Sequence, residues 1–100
     1  MKDASDRLIA KYPDLLGNVE CGVWCPERWE IIIDDLCRMI KWKLMQEKLP
    51  LSVISVNQVK EKFAQDLRFY WSGTDELPDD VRSFITGLVY MAECWAREVE

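Results

Sequence analysis

The sequence predicts a predominantly helical domain. It is α+β if the central segment pairs as a short β-hairpin beneath two long helices and a short N-terminal helix, and all-α if that segment coils. Three observations carry this expectation. Two long stretches, about Glu27–Lys48 and the residues after Pro78, repeat apolar side chains at steps of three and four. Between them, residues 51–71 are rich in β-branched and aromatic residues. Pro13, Pro26, Pro50 and Pro78 stand where one pattern gives way to the next. One hundred residues, 49% of them apolar, can enclose one core and not two, so residues 1–100 read as one domain.

Asp3 to Lys11 mixes charge with Ala4, Leu8 and Ile9 and reads as a short helix. Pro13 ends it, because a residue before proline is pushed out of helical geometry. Residues 13–26, with Gly17, Asn18 and Gly22, read as an irregular connection held down by Leu15, Leu16, Val19 and Trp24. In the helix from Glu27 to Lys48, Pro26 suits the first turn, acids lie near the start and bases near the end. Its buried stripe is Trp29, Ile32, Ile33, Leu36, Ile40 and Leu44. Ile31, Trp42 and Met45 fall off that stripe and point to a second covered face.

Leu51 to Val56 reads as extended. Residues 57–71 satisfy two patterns. Val56, Val59, Phe63, Leu67 and Tyr70 fit a helix, whereas Val59, Glu61 and Phe63, then Leu67, Phe69 and Trp71, fit two strands around a turn. Ser72–Glu76 is a loop, and Pro78-Asp79-Asp80 opens a final helix. Its stripe is Val81, Phe84, Ile85, Leu88, Val89, Ala92, Trp95, Ala96 and Val99.

Composition narrows function mainly by exclusion. The chain has no histidine, which removes most triads, His-activated nucleophiles and mixed zinc sites. It also carries no phosphate loop and no nucleophile motif, so it is read as non-enzymatic, with no catalytic residues and no cofactor. A net charge of −5 opposes attraction to polyphosphate, so direct nucleic-acid binding is disfavoured. The charge is uneven: residues 1–37 sum to −4, 38–73 to +4 and 74–100 to −5. No apolar run is long enough for a membrane span and the N-terminus is too polar for a signal peptide, so a cytoplasmic protein is expected.

Each chemical pattern has a simpler structural reading. Cys21, Cys25, Cys37 and Cys94 could supply thiolates to zinc, but their spacing is atypical and core thiols account for them. Glu30 and Asp34 share a helical face, as paired carboxylates must, but acid–base work or cation binding would need a cleft and further ligands, and a solvated helix face accounts for them. Asp75, Glu76, Asp79 and Asp80 lack calcium-loop spacing and read as a helix start with a negative patch. Arg68-Phe69-Tyr70-Trp71 with Lys60 and Lys62 interleaves bases and aromatics, but Leu67, Phe69 and Trp71 would form the buried face of a hairpin. Trp29 and Trp95 lie on apolar stripes, leaving Trp24, Trp42 and Trp71 for partial exposure and contact.

The run Val59-Lys60-Glu61-Lys62-Phe63, followed by Leu67-Arg68-Phe69-Tyr70, resembles a family of small, mostly uncharacterised phage and prophage proteins with V-K-E-K-F-G-x-L-R-F-Y. Tyr12–Leu16, Glu20-Cys21-Gly22, Trp29–Cys37 and Met91-Ala92-Glu93 extend the likeness in the same order. The family's glycine-containing turn implies a hairpin here, at Ala64-Gln65-Asp66. Two departures stand out: extra residues around Trp24-Cys25-Pro26, and the absence of the family's Cys-x-x-Cys tail, so no metal role carries over.

With acidity and surplus aromatics, this likeness leads to the expectation of a phage-type protein-binding module in the bacterial cytoplasm. Its partner would be a host or phage protein complex with a basic surface. An inhibitor of a host defence nucleoprotein complex, of the anti-CRISPR or anti-restriction type, is one concrete form. Asp75, Glu76, Asp79, Asp80, Glu30, Asp34, Trp24 and Trp42 are the expected contact residues. The alternative is a regulatory or structural accessory protein that binds nucleic acid through residues 38–73 or dimerises.

Overall fold

A computed structural model describes residues 3–17, 19, 22–62 and 66–99. The order is α1 (Ala4–Lys11), α2 (Pro13–Leu16), α3 (Glu30–Gln46), β1 (Ile54–Lys62), β2 (Asp66–Gly73) and α4 (Asp79–Glu98), with single 3-10 turns at Glu27–Trp29 and Leu51–Val53. The fold is α+β: two long helices, a two-stranded antiparallel hairpin and a short N-terminal helix.

Local chemistry sets most boundaries. Asp3 caps α1 by accepting the Asp6 amide at 2.9 Å. Pro13 ends α1 and also starts α2, where its missing N–H costs nothing, so part of the expected irregular connection is one helical turn. The helix expected to begin at Glu27 opens as a 3-10 turn and becomes α-helical at Glu30. It ends at Gln46 and not Lys48, because Lys48 turns left-handed at φ 57. The Leu49 amide then reaches the Leu44 carbonyl and the Lys48 amide reaches that of Met45, which closes the helix end in a Schellman turn. Leu51–Val53, expected to be extended, also forms a 3-10 turn before β1 starts.

The hairpin pairs Val59 with Phe69, Glu61 with Leu67 and Val56 with Trp71, and its register shifts between Val56 and Gln58. That bulge lets Val56 and Val59, three residues apart, both turn inward. Leu67 and Phe69 are buried as expected, Trp71 is half-buried and Tyr70 is outside. Phe63 and the expected turn residues Ala64 and Gln65 lie outside the described residues. The free edge of β1 is covered by a loop: Val23 bridges Val59, and the Trp24 amide donates to the Val59 carbonyl at 2.8 Å. Gly22, at φ +86, gives that loop a bend an L-residue adopts only under strain. On β2, the Phe69 amide donates to the Glu93 carboxylate of α4 at 3.2 Å.

α3 and α4 run antiparallel. Trp29, fully buried, donates its indole N–H to the Ala96 carbonyl at one end, and Lys43 lies over the Phe84 ring at the other. α4 also packs on β2, while α1 packs on α3. The core runs from Leu8, Leu16 and Trp29 through Ile33, Ile40 and Leu44 to Val59, Leu67, Val81 and Ile85, and no polar or charged residue among those described is buried.

Candidate functional site

The structure sorts the predicted contact residues into separate groups. Asp75 and Glu76 sit in the turn after β2, and Asp79 and Asp80 in the first turn of α4. All four are exposed, and among the described residues none is in an ion pair. Their loop is nevertheless anchored. Leu77 is buried, the Thr74 amide donates to the Val53 carbonyl at 2.9 Å, and Arg82 donates to the Thr74 carbonyl at 3.2 Å. Four carboxylates are thus held outward on a fixed base, with Asp80 also accepting the Val81 amide at the positive end of the helix.

Glu30 and Asp34 have a different fate. Arg7 of α1 reaches Glu27 at 2.6 Å and Glu30 at 2.7 Å. Lys11 reaches Asp34 at 2.7 Å, and the buried Tyr12 hydroxyl donates to the same carboxylate. Lys41 reaches Asp14 at 3.1 Å. The hydrogen bond from Arg7 holds the Glu30 carboxyl below the usual range, and that from Lys41 does the same for Asp14. For Asp34, burial pushes upward, but the bonds from Lys11 and Tyr12 prevail and its carboxyl is also depressed. Burial, reinforced by Asp34, raises the Tyr12 phenol well above its ordinary value. These two acids therefore clamp α1 to α3 and do not extend the outward patch.

The two tryptophans are also apart. Trp24, 57% exposed, flanks the outer edge of β1, whereas Trp42, 46% exposed, lies on α3 next to Lys43, whose ammonium sits 4.7 Å from the Phe84 ring centre. Phe84 follows Asp80 by one helical turn, so Trp42 belongs to the same end of the molecule as the acidic loop.

One feature was only half-signalled by the sequence. The broad apolar stripe of α4 divides in two: Val81, Ile85, Val89, Ala92 and Ala96 are buried, while Phe84, Met91 and Trp95 are exposed and Leu88 is half-buried. Ile31, Trp42 and Met45, expected to mark a covered face of α3, are exposed too, because no element of the described chain lies over them. Between the helices a shallow apolar groove of about 100 Å³ is lined by Ile32, Leu36, Met39, Leu88, Met91 and Trp95, with Asp35 as its one acid. Asp35 is paired with Arg38 at 2.9 Å, which raises the Arg38 pKa.

The basic middle is largely spent on internal pairs. Arg38, Lys41, Lys43 and Arg68 each reach a carboxylate. Lys60 packs over Tyr70, and Lys48 and Lys62 stand at opposite ends of the molecule. Cys25 and Cys37 are buried, and burial pushes both thiols up to about 12; Cys94 is half-buried on α4, and Cys21 lies outside the described residues. Among the described residues no group of three or more cysteines or acids is placed to hold a metal ion, and no helix is long and apolar enough to cross a membrane.

Comparison with known proteins yields no match: no family model, curated protein or solved structure is similar to the chain.

Proposed function

We propose that this chain is a non-catalytic protein-binding module that presents the acidic end formed by Asp75, Glu76, Asp79 and Asp80 to a basic surface of a partner complex. The observation that carries the reading is the contrast between acids. Glu30 and Asp34, facing α1, are neutralised by Arg7 and Lys11, and Asp14 by Lys41, while these four are exposed, form no ion pair among the described residues, and are fixed by Leu77. Carboxylates held in place need little reordering when they meet cations, so they favour fast and selective association.

The narrower form, inhibition of a host defence nucleoprotein complex of the anti-CRISPR or anti-restriction type, is supported by small size, acidity and the likeness of residues 59–71 to phage proteins. Acids matching the phosphate path of such a complex would compete with its nucleic acid. The rival role in nucleic-acid binding draws less support, since the cations of residues 38–73 are mostly paired and the rest are dispersed.

The test is a charge reversal. A variant with Asp75, Glu76, Asp79 and Asp80 all changed to lysine should keep the circular dichroism of the parent and lose the partner captured from bacterial lysate. Capture of the same partner by the folded variant overturns the acidic-end reading. Steeply salt-dependent binding of the parent to duplex DNA would favour the rival.

A further inference from the structure

The outer face of α3 and α4 is apolar, exposed and almost free of charge, in a protein of net charge −5. Because the helices are antiparallel, Ile31 lies towards Trp95, Asp35 towards Met91, Met39 towards Leu88, and Trp42 towards Phe84. The strip from Phe84 to Trp95 is about 16 Å long at the α-helical rise. No charged residue occurs on α4 between Arg82 and Glu93.

We infer that this face is the interface of a two-fold symmetric homodimer, in which α3 packs antiparallel on the partner's α3 and α4 on the partner's α4. The inference goes beyond the binding role proposed above and stands without it, since the acidic loop is not part of the strip.

Three observations select a second copy over another occupant. The first is charge. A two-fold interface brings each residue opposite a counterpart of the same chain, so a single-sign patch repels itself, whereas a neutral or self-complementary one does not. Here the central charges of the outer α3 face are one acid and one base, Asp35 and Arg38, three residues apart. In the antiparallel arrangement Asp35 of one copy faces Arg38 of the other, and the reverse. The same arrangement sends the two acidic loops to opposite ends; the parallel alternative would place their eight carboxylates together.

The second is shape. Beyond its chain neighbours and the backbone of its own helix, no described atom lies within 4 Å of where a Cβ on Gly87 would stand, and Met91, one turn on, projects with 67% of its surface exposed. Under the two-fold, Met91 of each copy can seat over Gly87 of the other, a knob and a hollow repeated by symmetry.

The third is area. Ile31, Trp42, Phe84, Met91 and Trp95 are 63%, 46%, 36%, 67% and 40% exposed. At roughly 150–250 Å² per large side chain they present about 500 Å² per copy. This is the greater part of the roughly 800 Å² that each partner buries in a standard interface.

Sedimentation equilibrium of the full chain tests the inference. The parent should sediment as a dimer, and Met91→Glu, at a position too exposed to disturb the core, as a monomer. Asp35→Arg and Arg38→Asp should each weaken association at least about tenfold, a loss of about 1.4 kcal/mol. An equimolar mixture of these two variants should restore it, because each arginine then meets an aspartate across the two-fold. A parent that stays monomeric at about 1 mM, weaker than any functional dimer, overturns the inference. So does an unchanged dimer in Met91→Glu. Failure of the mixture to associate overturns the antiparallel register.

Discussion

Replacing Trp29 with phenylalanine is the sharpest probe of how the two long helices are joined. The indole is fully buried, and its N–H reaches the Ala96 carbonyl at 3.3 Å. That carbonyl lies in the last turn of α4, where helix geometry leaves carbonyls without an intrahelical amide donor. The indole thus serves as a cap delivered from another helix. Phenylalanine keeps a ring in the site, but it leaves the carbonyl without this donor, at about 1 kcal/mol. It also removes three side-chain atoms from a packed site, at about 1–2 kcal/mol for lost burial and residual cavity. The total, about 2–3 kcal/mol, corresponds to a melting temperature lower by about 10–20 °C for a domain of this size. Urea titration followed by far-ultraviolet circular dichroism measures it, with both proteins at one concentration so that any association contributes equally. A loss below about 1 kcal/mol with an unchanged urea slope would refute the capping role and the claim that this contact fastens α3 to α4.

Further outcomes follow from the same structure. The Asp14, Glu30 and Asp34 carboxyls are depressed in the fold, so each contributes stability that is present above its unfolded pKa and lost as pH falls through its folded one. Melting temperature should therefore drop below about pH 4. Tyr12, Cys25 and Cys37 are raised, so their contribution is present below their unfolded values and declines as pH climbs above about 9. Tyr12→Phe should cost about 1–2 kcal/mol at neutral pH and make the acid decline smaller, because Asp34 loses one of its two donors and its carboxyl is held down less; an acid limb identical to the parent's would argue against the clamp. Lys48→Gly should stabilise by up to about 1 kcal/mol in thermal melts, since glycine takes the left-handed φ of 57 without strain. Destabilisation there would mean that the Lys48 side chain contributes more than its backbone costs.

Local pattern carried much of this fold. The 3.6-residue spacing of Ile32, Ile33, Leu36, Ile40 and Leu44 and of Val81, Ile85, Val89 and Ala92 predicted both long helices, and the prolines marked their starts. The central segment was legible only in part. Its two readings share Val59 and Leu67, and the bulge between Val56 and Gln58 breaks the alternation that would have declared a strand outright.

By itself, then, the sequence determined α1, α3 and α4, the prolines at their boundaries and the run of acids from Asp75 to Asp80, because propensity, periodicity and charge spacing act over a few neighbouring residues. Only the tertiary structure decided which acids are spent and which apolar side chains remain outside. Glu30 and Asp80 look alike in sequence, yet Arg7 arrives from 23 residues away to pair with Glu30, while none of the cations among the described residues pairs with Asp80. Trp29 and Trp95 both lie on apolar stripes, yet α4 covers the first and no described element covers the second. Neutralisation and burial depend on what the rest of the chain brings alongside, and spacing along one helix does not encode that.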